Sequence, residues 1–417
     1  MRIVFGRLGG RAAGAAAVAA AVAALSGACA PPAPEAAGPA RAAALYVADG
    51  LDGTVTRLDG AGGRRLGAPL PVGAHPEQVV VAPGGAALVL TRDAAAAPGD
   101  PAGGQSAGLT YVSRDGVRGG WVARPVALGP GARALLLAGD GDAHAVALYT
   151  VAPVGPPEPP GPPGPSGSPA EAPCGVAVID LRTGTVEATH PVCTFRELPT
   201  GVALERAAGG AVVSLVLWHR ATPPGRDLLP AGARLVRLAA RTGTLLGEAP
   251  LSGLPRPPAH GGSLLRAPGP DGADRLYVVE ALPDSRLATW GEAEYAWQYP
   301  LSAGWRLHRL APGGLEAEAG LPLAFAPAGL AVAADGTRAY AFDALGDAVL
   351  ALDLTTGRAA PLARVPGHRP FGLAVGGDRL YVASPPAGRV LALDRATGRR
   401  VLTLRAGRAP AGIALAP

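Results

Sequence analysis

The 417-residue chain contains no lysine and no asparagine, and all 37 of its basic side chains are arginine. Without lysine the phosphate-cradling G-x-x-x-x-G-K loop cannot exist, and neither the H-E-x-x-H helix of zinc proteases nor the C-x-x-C-H site of attached haem occurs. Nucleotide, zinc-protease and haem chemistry therefore have no basis, and no motif indicates a cofactor or a metal. Cysteine is scarce, with three residues and no redox C-x-x-C spacing. Aromatic residues make up only 4% of the chain, and no arginine run is interleaved with them. The formal charge of +5 thus does not read as nucleic-acid binding: Arg2, Arg7 and Arg11 lie in an acid-free leader, and the other arginines nearly balance the 32 acids.

What is abundant is alanine, glycine and proline, in the manner of a GC-rich coding bias. The first residues read as a targeting segment, with the three leader arginines ahead of the apolar run AAGAAAVAAAVAALSG, too short and weakly apolar to span a membrane stably. The run ends in L-S-G-A-C, which resembles a bacterial lipobox with Cys29 as the acylated residue, although Ser26 stands where Leu is usual. This division gives a signal peptide over 1–28, a Pro-rich tether over 29–42 and a folded part over 43–417. The expected location is the outer face of the cytoplasmic membrane or the cell envelope, with the membrane as partner through Cys29. Soluble secretion, after cleavage following Ala28 to Ala30, is the alternative.

Cys174 and Cys193 flank two strand-like runs around a T-G turn. Residues equidistant from a hairpin turn face each other with Cα atoms about 5 Å apart, within disulfide range. An exported protein can keep such a bond; a pair of buried free thiols is the alternative.

P-A-G-L-A-V-A-A-D-G-T-R-A-Y-A-F-D from Pro327 and P-F-G-L-A-V-G-G-D-R-L-Y-V-A-S from Pro370 align, and each continues into G-x-V-L-A-L-D-x-x-T-G. The unit is about 40 residues with four β-rich runs, the signature of a propeller blade. Y-V-A-D at Tyr46, Y-V-V-E at Tyr277, Y-A-F-D at Tyr340 and Y-V-A-S at Tyr381 resemble the repeat core of the YVTN-type β-propeller family of exported bacterial and archaeal proteins. That resemblance implies the fold and leaves function open.

Strand-to-strand turns at Asp59, Ser113, Asp180, Ala239, Ala311, Asp353 and Asp394 number the blades at seven. The resulting expectation is an all-β, seven-bladed propeller of four-stranded antiparallel blades. P-A-G-I-A-L-A-P at the C-terminus is a first strand without a blade, while residues 43–73 lack a first strand. The C-terminal strand should therefore join the N-terminal blade and close the ring, removing unpaired sheet edges. Nothing calls for a partner copy, so a monomer is expected.

Blades 2 to 5 carry insertions over about 93–107, 152–173, 221–232 and 281–304, all between the second and third strands and so all on one face. The Pro-rich stretch over about 152–173 reads as a disordered loop. The last insertion gathers Trp290, Tyr295, Trp297 and Tyr299, a cluster that would suit partner recognition or would staple the loop onto its own blade. The links into each first strand reach the same face near the central axis. They carry His75, Glu77, Glu197, His260, His368 and Arg369, polar groups converging on one channel mouth. Their alternative role is to cap strand ends in water. Across seven blades the imidazoles stand wide for a shared metal. Asp140 and Asp142 read as turn residues.

The function these features suggest is a cell-envelope binding or scaffolding lipoprotein that recognises a protein partner or small ligand on the insertion-bearing face. The alternative is an exported small-molecule enzyme at the channel mouth, lactonase-like or quinoprotein-like. No catalytic residue pattern transfers from either family.

Overall fold

The computed structural model describes residues 44–92, 107–116, 119–129, 132–151, 174–193, 197–207, 209–220, 230–251, 254–255, 264–269, 271–281, 287–290, 297–300, 305–325, 327–343, 347–366 and 372–416. Of the chain's two compact units, 1–41 and 42–417, the first lies outside them.

The second unit is a seven-bladed β-propeller. Blade 1 pairs Pro410–Leu415, Ala44–Asp49, Thr54–Asp59 and Leu70–Pro71, in order from the axis outward. Blade 2 runs Pro76–Val81, Ala87–Arg92, Ala107–Arg114 and Trp121–Val126; blade 3 runs Ala132–Gly139, His144–Val151, Cys174–Asp180 and Thr185–Cys193. Blade 4 comprises Glu197–Ala207, Gly210–Arg220, Pro230–Ala239 and Leu245–Leu251; blade 5 comprises Leu264–Pro268, Asp274–Ala281, Trp305–Leu310 and Ala317–Leu323. Blade 6 holds Pro327–Val332, Arg338–Asp343, Ala348–Asp353 and Ala359–Arg364, and blade 7 holds Leu373–Gly376, Arg379–Ser384, Arg389–Asp394 and Arg400–Leu404. The ring closes as the repeat requires: Leu45 stands opposite Leu415 and Tyr46 opposite Ala414.

The turns between third and fourth strands share one construction. Gly63, Gly119, Gly184, Gly243, Gly313, Gly357 and Gly398 all have φ between 66° and 73°, a region closed to most side chains. In six of the seven, the glycine N–H donates to the carbonyl four residues earlier, as Gly184 does to Asp180 at 2.7 Å. The common spacing is therefore D-x-x-x-G. It corrects the expected S-R-D-G turn of blade 2: Gly119, bonded to the Asp115 carbonyl, fills the position rather than Gly116.

The first strands of blades 2, 4 and 6 bulge one residue after a proline at or near their start, between Pro76 and Gln78, Pro199 and Gly201, and Pro327 and Gly329. Blade 1 repeats the device with Pro410-Ala411-Gly412, where a Cβ on Gly412 would collide with the Glu77 carbonyl of blade 2. Neighbouring inner strands thereby approach closely at the axis.

Three tyrosines bury their rings between blades and use the hydroxyl on the neighbour. Tyr46 donates to the Gly85 carbonyl at 2.6 Å, Tyr111 to Leu181 at 2.8 Å and Tyr381 to Gly60 at 2.8 Å. Each such ring contributes about 1.5–3 kcal/mol by burial, and its hydroxyl satisfies a turn carbonyl that would otherwise be stranded.

Cys174 and Cys193 form a disulfide with Cα atoms 5.4 Å apart. Two bulges in the fourth strand of blade 3 set this pairing: the hairpin starts with Asp180 opposite Thr185, and each extra residue on the return strand advances the register until Cys193 faces Cys174.

Candidate functional site

The first strand of each blade starts, and the second ends, on the face where the insertions emerge. The acidic fourth position of the Y-V-x-D repeat lies there. In blade 1 it has a structural duty: the buried Asp49 carboxylate accepts from the N–H groups of Leu51 at 3.0 Å, Asp52 at 2.7 Å and Ala409 at 2.9 Å, tying the ring-closing connector to the turn beside it.

Blade 2 brings three charged or titratable groups together at the inner end of this face. The Glu77 carboxylate meets the Arg92 guanidinium at 2.9 Å, and the Arg92 N–H donates to the His75 carbonyl at 3.0 Å. Burial pushes the Glu77 carboxyl above its ordinary value, against the opposing pull of Arg92 and His75. His75 has φ 44°; among the described residues only Asp347, on the same face, is another non-glycine with positive φ. Left-handed backbone at a non-glycine residue costs free energy, and such residues gather at ligand sites. Arg92 was not singled out from the sequence. Its only signal was its place directly after the second strand's final core position, in L-T-R-D.

Glu197 is placed differently from that trio. Its side chain is 2% exposed and accepts from Arg234 at 2.8 and 3.1 Å, while Arg234 also reaches Glu248 at 2.5 Å. The register puts Glu197 opposite His219, on the blade 4 flank that faces blade 3. His260, His368 and Arg369 lie outside the described residues, as do Tyr295, Cys29 and the 152–173 stretch. The aromatic insertion of blade 5 contains a two-stranded hairpin, Leu287–Trp290 with Trp297–Pro300, in which Trp290 stands opposite Trp297 and Tyr299 opposite Ala288. Among the described residues no three His, Cys, Asp or Glu side chains are grouped to hold a metal.

Asp140 does cap its turn, accepting from the N–H of Asp142 at 2.8 Å and of His144 at 3.1 Å. It also does more. Arg206 of blade 4 pairs with Asp140 and Asp142, and Arg266 of blade 5 donates to the Asp140 carbonyl at 2.6 Å while pairing with Asp274. Burial opposes ionisation of Asp140, but the two backbone donors and Arg206 outweigh it and hold the carboxyl low. Three blades are thus tied together on the face opposite the insertions.

The insertion of blade 2 also spells G-x-S-x-G over Gly104-Gln105-Ser106-Ala107-Gly108. Ser106 lies outside the described residues, and the pentad leads into the strand Ala107–Arg114, not from a strand into a helix as a nucleophile elbow requires. The match carries no hydrolase chemistry.

The fold and this mouth define a seven-bladed propeller with a polar cluster on its insertion-bearing face. Among solved structures the chain is similar to the periplasmic gluconolactonase PpgL of Pseudomonas aeruginosa, with 19% identity, a TM-score of 0.51, and coverage of 89% of this chain and 98% of that one. It is similar to a functionally unknown protein from Desulfotomaculum acetoxidans, at 11% identity and TM-score 0.52 over 89% and 98% of the two chains. Hydrazine synthase of Kuenenia stuttgartiensis is matched at 15% identity and TM-score 0.51 over 85% and 93%. These likenesses, at such identities, establish the architecture alone. No protein-family model and no curated protein matches the chain.

Proposed function

We propose that this protein is an exported, envelope-anchored binding propeller that takes a small polar ligand at the mouth formed around His75, Glu77 and Arg92. The observation that carries the reading is the blade 2 cluster: a carboxyl raised by burial, its guanidinium partner and a left-handed histidine, all where inner strands meet the insertion-bearing face. Export is supported by the disulfide, a bond that oxidising compartments preserve. Anchoring through Cys29 follows from the lipobox-like end of the leader. His260, His368 and Arg369 belong to the same mouth in this reading, and the aromatic hairpin of blade 5 offers a surface for a protein partner.

The test screens organic acids and sugars by thermal shift against the native protein and against a variant with His75, Arg92, His260 and Arg369 replaced by Ala. Ligands that stabilise the native protein and lose that effect in an equally stable variant uphold the reading. A screen in which both proteins respond alike sinks it.

A second reading, an exported enzyme at the same mouth, draws on one feature: a carboxyl with a raised pKa beside an imidazole suits general acid–base work. Turnover of a lactone panel by the native protein, abolished in Glu77→Gln, would favour it over binding alone.

A further inference from the structure

On the hairpin-turn face the blades use arginine differently. The second strand of blade 1 enters from the face of the hairpin turns, where Ala416 donates its N–H to the Ala44 carbonyl at 2.9 Å. The described chain therefore enters the propeller at Ala44 on this face, opposite the insertions. In the turns of blades 1 and 7 here, the aspartates point their carboxylates inward. Asp59 accepts from the Ala61 N–H at 3.1 Å, and Asp394 from the N–H groups of Ala396 at 3.1 Å and Thr397 at 2.7 Å. The arginines that follow, Arg64, Arg65, Arg399 and Arg400, are exposed and form no ion pair among the described residues, and the same holds for Arg114 of blade 2.

Between these charges lies apolar and aromatic surface. Trp121 is only partly buried and carries the Arg57 guanidinium 3.6 Å above its ring, and Val122 and Val401 are two of the few exposed large hydrophobics. On this face in blades 3 to 5, Arg182, Arg206 and Arg275 are held by Asp180, Asp142 and Asp271, and of the arginines in their hairpin turns Arg241 is exposed with no ion pair among the described residues. Unpaired arginine interspersed with tryptophan and valine is the composition of a surface that rests at a lipid interface, and an acyl anchor and a basic patch reinforce each other there.

We propose that the hairpin-turn face of blades 7, 1 and 2 lies against an anionic lipid headgroup surface, which turns the insertion-bearing mouth away from the membrane. This rests on the reading of Cys29 as the anchor. The test uses the mature chain with Cys29→Ser, so that no acyl chain contributes, and measures co-sedimentation with phosphatidylcholine vesicles with and without phosphatidylglycerol. Binding to the anionic vesicles only, falling with salt, is the expected result. Replacing Arg64, Arg65 and Arg400 together with Ala should weaken it about fivefold per arginine, on the order of a hundredfold in all. Replacing Arg364, Arg389 and Arg405, exposed on the other face, removes the same charge and should change it little.

Equal loss in the two triple variants would reduce the effect to net charge and overturn the proposal. So would absence of binding to anionic vesicles, or binding to a soluble polyanion such as heparin with none to vesicles. Intact mass of the native protein separates the two ideas. An unacylated Cys29 with intact vesicle binding removes the anchor and keeps the surface, and an acylated Cys29 with no vesicle binding does the reverse.

Discussion

Blades 7, 1 and 2 are joined by apolar side chains and by tyrosine hydroxyls on turn carbonyls, whereas blades 3, 4 and 5 add arginine contacts to the apolar seams between them and also hold buried charge and a disulfide within single blades. On the first side stand Tyr381 on Gly60 and Tyr46 on Gly85. On the second stand Arg206 of blade 4 on Asp140 of blade 3 and Arg266 of blade 5 on the Asp140 carbonyl, and, within single blades, the disulfide of blade 3, the buried Glu205–Arg237 pair of blade 4 at 3.2 Å with Ser214 on the same carboxylate, and the His308–Glu280 contact of blade 5 at 2.6 Å. The second group also carries three of the four insertions, and Cys174 opens the third strand at the root of the one spanning 152–173. A staple there limits how far the third and fourth strands can splay. The difference teaches that one repeat tolerates two ways of fixing its strands, with unlike failure modes. A buried ion pair adds little net stability, but losing one member strands the other. A tyrosine–carbonyl contact loses only one hydrogen bond when broken.

The largest expected effect therefore falls in blade 4. Glu205→Ala should cost about 3–5 kcal/mol in chemical denaturation by leaving Arg237 buried without its partner, while Glu205→Leu with Arg237→Met should be close to neutral. If the single alanine proves harmless, the contrast between the two halves disappears. Next, Cys174→Ser with Cys193→Ser should lose about 3 kcal/mol, by analogy with loops of similar length. Proteolysis should then begin near the blade 3 insertion, and cutting elsewhere first would detach the disulfide from its role as staple. In the other half, Tyr381→Phe should cost only about 1 kcal/mol, the net worth of one hydrogen bond.

The smallest effect is a pH dependence confined to blade 5. Arg275, followed by the Ala273 N–H, holds Asp271 down to about 2 from an ordinary 3.8. A carboxyl depressed in the folded state stabilises above its unfolded value and loses that contribution as pH falls from 3.8 toward about 2. Asp271→Asn should flatten the acid limb of the stability curve in that window, and an unchanged limb would show that the Asp271–Arg275 pair contributes nothing.

Several of these contacts were out of reach of sequence reasoning, and the reasons are particular. The D-x-x-x-G turn, the Pro-led first strand and the Cys174–Cys193 pairing all depend on residues within one blade, so spacing reveals them. Even so, Gly116 was a natural misreading for Gly119, because any D-G reads as a turn until the five-residue spacing is known. Glu197 looked like a mouth residue because it opens a first strand, yet which flank its side chain takes depends on the strand's register with Gly210–Arg220. Arg92 was overlooked since an arginine at a strand end is ordinary, and only its 2.9 Å approach to a partly buried Glu77 makes it notable.

By itself the sequence determined the blade, its number and the closure of the ring, because strand period and turn chemistry are local properties that repeat from blade to blade, and the unpaired final strand matches the one the N-terminal blade lacks. Only the tertiary structure decided which charges meet. Arg266 and the Asp140 carbonyl are 126 residues apart, and Tyr381 and Gly60 are 321 apart. Those contacts are set by the twist of each blade and by how closely the inner strands approach at the axis. These are continuous geometric quantities, and no residue pattern within a single repeat encodes them.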